Sequence, residues 1–107
     1  MKTPTPFRLN DANALKLLRE VAADSARVVL LPHARQRMKQ RHVTLLQVLE
    51  VLRKGTLSEP AALDMYGNWK VTVRGLTCGQ SVTVAGAIEM QKEPGKRVLV
   101  ITLFGSD

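Results

Sequence analysis

At 107 residues with 45% hydrophobic side chains, the chain is long enough for one folded domain with its own core, and this composition argues against disorder. Sixteen Lys and Arg against nine Asp and Glu leave a net charge of +7, which favours polyanionic partners, although a generally basic protein kept soluble by its charge has the same balance. The single cysteine, Cys78, excludes an intramolecular disulfide and a cysteine-based zinc site.

The first half of the chain has the apolar spacing of helices. We expect an extended lead-in over residues 1–9 and a mainly helical segment over residues 10–54. Asn10 or Asp11 caps the first helix, whose apolar residues recur at helical spacing as far as Ala22. The short apolar run that follows, over residues 28–31, predicts a strand or the approach to the next helix.

Two further helices are predicted before the pattern changes. The second spans residues 33–41 and follows Pro32, a residue that suits a strand's end or a helix's first turn. Thr44 and Gln47 then have the spacing of a capping box, in which each side chain binds a free backbone N–H of the other residue. The third helix ends at the Arg-Lys-Gly sequence of residues 53–55.

The second half, residues 55–107, changes to the alternating pattern of strands. We expect strands over residues 57–59, 70–74, 80–89 and 97–104, the last of them central, with turns at 66–69 and 92–96. Strict alternation puts Lys70, Thr72 and Arg74 on one open face. Helices followed by antiparallel strands predict a single α+β domain over residues 1–107, with the N-terminal helices on one face of the sheet.

The second helix carries the densest positive charge in the sequence. No carboxylate lies between Asp24 and Glu50, and two imidazoles, His33 and His42, flank the cluster. The four cations between them are Arg35, Arg37, Lys39 and Arg41. Because cations repel one another, a folded protein keeps such a cluster mostly where it meets an anion. Phosphate is the commonest such anion, and the imidazoles add a group for proton transfer, so the pattern indicates RNA chemistry.

Helical spacing assigns these side chains to different faces. Three of them are four residues apart and share one face: His33, Arg37 and Arg41. On that face His33 is the candidate general acid or base, and the two guanidiniums stabilise a phosphorane. Ala34 and Met38 form an apolar stripe that docks on the sheet, whereas Arg35 and Lys39 point elsewhere and supply further positive charge for nucleic acid. The alternative is a solvated helix face on which His33 caps the backbone.

A second basic surface is predicted on the strand that begins near residue 70. Lys70 and Arg74 lie on its open face, beside Tyr66 and Trp69. Cations interleaved with aromatic rings hold single-stranded RNA, because phosphates bind the cations and bases stack on the rings. The alternative for Trp69 is a place in the core, which is usual in a domain with only 4% aromatic residues.

Metals, cofactors and membranes are not expected as partners. His33 and His42 have no carboxylate nearby, and no glycine-rich phosphate loop is present, so we expect no metal and no cofactor. RNA cleavage needs neither, because the 2′-hydroxyl of the substrate is itself the nucleophile. With no signal-peptide pattern and no apolar run of membrane-spanning length, we expect a cytoplasmic protein without a membrane partner.

Three segments together resemble a known family. They are the His-Ala-Arg-x-Arg-Met-x-x-Arg helix from His33, the capped helix ending at Gly55, and the strands with Trp-Lys-Val and Val-Ile-Thr. Over residues 31–104 they resemble the bacterial family catalogued as domain of unknown function 4258. The chain is more remotely similar to RelE-type and BrnT-type toxins, small basic ribonucleases that pair with antitoxins. This resemblance implies a RelE-like fold with a curved sheet, and RNA and an acidic antitoxin as partners.

Three functions follow as hypotheses. The leading one is a toxin-like, metal-independent endoribonuclease of a bacterial toxin–antitoxin pair, in which Lys70 and Arg74 position the RNA backbone for the helix residues. The second is a non-catalytic nucleic-acid-binding module that uses the same basic surface. The third is a protein-interaction domain whose positive face docks an acidic partner.

Overall fold

A computed structural model of the chain describes residues 11–90 and 96–105. Within these ranges three α-helices are present: α1 (Asp11–Ala22), α2 (Pro32–Arg41) and α3 (Leu45–Lys54). The strands are β1 (Val28–Leu30), β2 (Thr56–Leu57), β3 (Ala62–Leu63), β4 (Trp69–Thr77), β5 (Gln80–Glu89) and β6 (Arg97–Gly105). The predicted lead-in over residues 1–9 lies outside the described residues, as does the predicted turn over 92–96 apart from Lys96.

Local signals account for the ends of α2 and α3, and the structure confirms them. Pro32 is the first residue of α2, and His42 ends that helix in the left-handed conformation with φ 57. At the start of α3 the backbone N–H of Gln47 donates to Thr44 Oγ1 at 3.2 Å. In return the backbone N–H of Thr44 donates to Gln47 Oε1 at 2.9 Å, which completes the capping box.

We expect the substitution Thr44→Ala to lower the free energy of unfolding by about 1 kcal/mol, because it removes the acceptor for the N–H of Gln47. Urea unfolding followed by circular dichroism measures this change. Thr44→Ser keeps the hydroxyl and is expected to stay near wild type. If the Ala and Ser variants unfold at the same urea concentration, the capping box does not stabilise α3.

The six strands form one sheet in the order β1-β6-β5-β4-β2, and β3 pairs with β4 on the same edge as β2. The pairs from β2 to β6 are antiparallel, and β6 lies in the interior of the sheet as predicted. One difference is that β1 pairs with β6 in parallel, so the sheet is not antiparallel throughout. The strand predicted over residues 57–59 is the two-residue β2, and β3 was not predicted because two exposed residues show no alternation.

The core lies between the helices and one face of the sheet, here called the helix-covered face. The helices contribute Leu18, Val48 and Leu52, each with no exposed surface. The strands contribute alternate residues, all almost fully buried: Val71, Val73, Val82, Val84, Val98, Val100 and Leu103. α2 packs on β6, α3 packs on β4 and β5, and α1 packs on α3 and β6. This is the predicted α+β arrangement, and it leaves the opposite side of the sheet, here called the open face, without helices. None of the described helices is long and apolar enough to cross a membrane.

A β-bulge in β6 changes which of its residues face the core. Ala85 of β5 pairs with Thr102, but the next residue, Gly86, pairs with Val100, so Ile101 is the extra residue. At Gly86 an added Cβ would stand 2.7 Å from the carbonyl oxygen of Leu99, so the close approach of the strands requires glycine there. Bulges bend a strand and increase its twist.

Candidate nucleic-acid interface

α2 docks on the sheet through its apolar stripe and leaves its cations at the surface. Ala34 is fully buried and Met38 packs against the core at its edge, as the spacing predicts. His33 is exposed at the start of the helix, and Arg37 and Arg41 are half-buried. The three candidate catalytic residues therefore do lie on one side of α2, with the imidazole the most accessible of them.

Arg37 is held in an unusual environment. Its Nε is buried, and among the described residues it has no hydrogen-bond partner. An unpartnered buried donor costs about 1–3 kcal/mol. Because the Nε is buried, a phosphate could be bound only through the terminal nitrogens of this half-buried guanidinium, and Arg37 is a candidate for such a contact.

Several other arginines have structural partners. Arg53 donates from Nε to the carbonyl oxygen of Ala22 at 2.7 Å, and Arg19 donates to the carbonyl that follows α3 at 3.0 Å, so each helix of the α1–α3 pair is capped by the other. Arg97 forms an ion pair with Glu89 at 2.7 Å. Because Glu89 neutralises the guanidinium of Arg97, that charge contributes less to binding a polyanion than a cation without a carboxylate partner does.

Lys70 and Arg74 are exposed on the open face, as predicted from the alternation of β4. The Nε of Arg74 donates to Ser81 Oγ at 2.9 Å, which directs the guanidinium across β5. The two cations are four residues apart on one strand, which corresponds to about 13 Å. The two cations thus lie along β4 on the open face, which has no described helix over it.

The aromatic residues are distributed differently from the prediction. Trp69 is only 6% exposed and belongs to the core cluster on the helix-covered face, so its ring is not available for a base to stack on. The alternation of β4 explains this, because Trp69, Val71 and Val73 are two residues apart and point to the same, helix-covered face. Tyr66, in contrast, is 78% exposed in the loop between β3 and β4.

The loop that carries Tyr66 is tied together by one side chain. Asp64 Oδ1 accepts hydrogen bonds from the backbone N–H groups of Tyr66 at 2.8 Å and Asn68 at 2.9 Å. Such a turn holds an exposed ring in place without burying it. The loop extends from the Lys70 end of β4, because Leu63 pairs with Trp69 just before it.

Phe104 is an exposed ring on the open face that the sequence analysis missed. It is 44% exposed, and it lies in one cross-strand row with Thr83 and Arg74. Simple alternation in β6 from Val98 and Val100 would put Phe104 in the core. The extra residue Ile101 reverses the parity, so Leu103 faces the core and Phe104 faces outward.

The two basic surfaces do not converge on one cleft. α2 packs on β6 in the helix layer, whereas Lys70 and Arg74 project from the opposite side of the sheet on β4, with β5 between the two strands. The expectation that Lys70 and Arg74 position RNA for His33 therefore does not fit the geometry. The helices cover the apolar side of β4, so its polar side necessarily points away from them.

Other kinds of site find little support in the part of the chain that the structure describes. It holds no group of three or more His, Cys, Asp or Glu side chains that could bind a metal ion. Cys78 is exposed in the turn between β4 and β5, with a positive φ of 52. The candidate interface therefore rests on exposed basic and aromatic side chains.

Comparison with known proteins supplies a family. No curated protein and no solved structure matches the chain, so the likeness to RelE-type and BrnT-type toxins stays a prediction. A family model matches residues 30–104, a range that includes α2 and the whole open face of β4 and β5. The chain belongs to the family described as a domain of unknown function, DUF4258.

Proposed function

We propose that this protein binds single-stranded RNA on the open face of its sheet. The observation that supports this most strongly is the row formed by Arg74, Thr83 and Phe104, which combines a cation, a hydroxyl and an exposed ring on one uncovered surface. Single-stranded RNA is bound by such surfaces, since phosphates pair with the cations and bases stack on the rings.

The dimensions of the open face suit several nucleotides. Lys70 and Arg74 are about 13 Å apart along β4, and Phe104 lies two strands away from Arg74, or about 10 Å. Tyr66 provides a second exposed ring, in the loop just before the Lys70 end of β4. A strand of RNA that follows β4 meets positive charge at both ends of this path and can place a base on either ring.

Fluorescence anisotropy with a labelled single-stranded RNA of twelve nucleotides tests this proposal. We expect binding that weakens steeply with salt, since each phosphate contact releases counterions, and weaker binding to a duplex of the same sequence. Equal affinity for the duplex and the single strand would favour a general basic surface over the proposed one.

The substitution Phe104→Ala is expected to weaken RNA binding about tenfold, because it removes the ring on which a base stacks. Phe104→Leu, which keeps an apolar side chain but no aromatic face, is the matched control for lost packing. Both variants should show the same loss of affinity and near-wild-type melting temperatures. Full affinity in Phe104→Ala would exclude stacking at this position.

A second proposal concerns α2, where His33 is exposed one turn before the half-buried Arg37. We propose metal-independent RNA cleavage there, with His33 taking the proton of the 2′-hydroxyl and Arg37 and Arg41 stabilising the phosphorane. The 2′-oxygen then bonds to phosphorus while the bond from phosphorus to the 5′-oxygen breaks, the 5′-oxygen takes a proton from solvent water, and a 2′,3′-cyclic phosphate remains. This would make the protein a RelE-like toxin that acts in the cytoplasm and pairs with an acidic antitoxin.

Cleavage is tested by incubating the protein with RNA in EDTA, with and without ribosomes, and analysing the ends of the products. Cyclic-phosphate ends that persist in EDTA support the proposal. RNA that stays intact under both conditions would leave RNA binding as the function and remove the catalytic role of α2.

A further inference from the structure

A groove of about 550 Å³ runs along α2 on the side away from His33 and Arg37. Its lining residues come from β1, α2 and the segment after α2: Leu30, Arg35, Gln36, Met38, Lys39 and Val43. Leu30, Met38 and Val43 form an aliphatic floor, and Arg35 and Lys39 are exposed cations beside it. We call this surface the α2 groove. The α2 groove uses Arg35 and Lys39, which lie on the side of α2 opposite His33 and Arg37 and are not part of the open face.

The floor of the α2 groove is built from residues that the fold holds in place. Leu30 and Met38 pack against the core, and Val43 is only 5% exposed. The chain turns back after the left-handed His42, so that the N–H of Val43 donates to the carbonyl of Met38 at 2.9 Å. The groove is therefore a permanent feature of the surface and needs no rearrangement to form.

Arg35 has a defined position beside the groove. Its Nε donates to the carbonyl oxygen of Leu30 at 3.2 Å. The N–H of Leu31 donates to the carbonyl oxygen of Val100 in β6. This N–H and the carbonyl of Leu30 belong to the same trans peptide unit, so they point in opposite directions, and the Leu30 carbonyl faces outward from β1 at the edge of the sheet. Arg35 thus occupies the outward carbonyl of this edge strand. Because this acceptor is already used, the edge of β1 is a less favourable place for a partner to add a strand, which favours binding through side chains.

The charge of the α2 groove indicates which side chains a binding partner would carry. Arg35 and Lys39 are four residues apart on one side of α2, so their Cα atoms are about 6 Å apart along the helix axis. Among the described residues, no carboxylate lines the groove to neutralise them. Two exposed cations beside an aliphatic floor are complementary to a segment that carries carboxylates next to aliphatic side chains.

We propose that the α2 groove binds a short, acidic, amphipathic segment of a partner protein, with aliphatic side chains on Leu30, Met38 and Val43 and carboxylates on Arg35 and Lys39. RNA fits this surface less well, because none of its lining residues has an aromatic ring on which a base could stack. The open face, in contrast, offers a base the ring of Phe104 and the hydroxyl of Thr83. The two surfaces therefore serve two classes of partner, and this inference does not depend on the proposed RNA binding.

The test is a titration of the isotope-labelled full chain, followed by NMR, with an acetylated peptide of the repeating sequence Glu-Leu-Leu-Glu. We expect shift changes centred on the amides of Arg35, Lys39 and Val43. Two control peptides, one with Lys in place of Glu and one with Ala in place of Leu, should bind at least tenfold more weakly. The substitution Lys39→Glu, at an exposed position that leaves the floor intact, should weaken binding of the acidic peptide about fivefold or more.

Other outcomes would overturn the proposal. These are equal binding of the lysine peptide, shift changes confined to the open face, or no binding at millimolar peptide. Shift changes in the groove on addition of the RNA of twelve nucleotides would assign the groove to nucleic acid instead. The variant with Lys70→Glu and Arg74→Glu should still bind the peptide, so loss of RNA binding in that variant is measured separately from the function of the groove.

Discussion

Reversing the charges of Lys70 and Arg74 together is expected to weaken binding of single-stranded RNA by roughly 100-fold or more at physiological salt. The double variant Lys70→Glu, Arg74→Glu removes two phosphate contacts and places two negative charges beside the same phosphates. Both side chains are exposed, and the hydrogen bond from Arg74 to Ser81 lies at the surface, so the fold should tolerate the change. Anisotropy titrations at several salt concentrations measure the loss.

The salt dependence gives a second measure in the same experiment. For single-stranded nucleic acid, each lost phosphate contact lowers the slope of log affinity against log salt by about 0.7. Removal of two contacts should therefore lower the slope by roughly twice that amount. A loss of affinity without a change of slope would mean that the variant has damaged the surface in some other way.

A matched control separates the open face from the net charge of the protein. Lys16 and Arg27 are exposed in α1 and just before β1, respectively, outside the strands β4, β5 and β6 that carry the open-face residues. The variant Lys16→Glu, Arg27→Glu lowers the net charge of +7 by the same amount as the open-face variant. We expect it to keep most of the RNA affinity. Equal losses in the two variants would show that net charge, not a defined surface, attracts RNA.

Elements with a local cause were predictable from the sequence. The capping box of Thr44 and Gln47, the start of α2 at Pro32 and the open-face positions of Lys70 and Arg74 all depend on residues a few positions apart. A strand's alternation or a helix cap carries its own physical reason, so no knowledge of the rest of the fold is needed. β5 was predicted with its observed bounds for the same reason.

Features that depend on distant parts of the chain were not predictable in this way. The parallel pairing of β1 with β6 joins the two halves of the chain, and nothing in the apolar run of β1 specifies its partner. The outward position of Phe104 depends on the bulge at Ile101, which lies opposite Gly86 at a place where a Cβ would not fit. A one-residue irregularity reverses every side chain after it, so alternation counted from Val98 would place this ring in the core.

The separation of the two basic surfaces could have been predicted from the sequence. The apolar parity of β4 is the side that the helices cover, so Lys70 and Arg74 had to face away from α2. The same reasoning puts Trp69 in the core beside Val71. The alternation of β4 predicts its polar face correctly. The same alternation also implies that the helices lie on the other face, which a shared site with α2 does not allow.

This separation leads to the second prediction, in which variants on the two surfaces change different kinetic constants. If α2 cleaves RNA, His33→Gln and Arg37→Ala should each lower kcat by about 100-fold or more, because they remove the proton acceptor and a charge that stabilises the phosphorane. Arg35→Ala should lower kcat far less, because Arg35 lies on the other side of α2 and binds the carbonyl of Leu30. Thermal melts check that each variant is folded.

The open-face variant completes the comparison. Lys70→Glu, Arg74→Glu changes RNA binding on the side of the sheet opposite to α2, so it should raise KM and leave kcat near wild type. Single-turnover cleavage at saturating protein measures kcat without the contribution of binding. A large fall of kcat in the open-face variant would mean that the two surfaces act on the same phosphate. Their positions on opposite sides of the sheet do not allow this within one molecule, so a second copy of the chain would then have to complete the site.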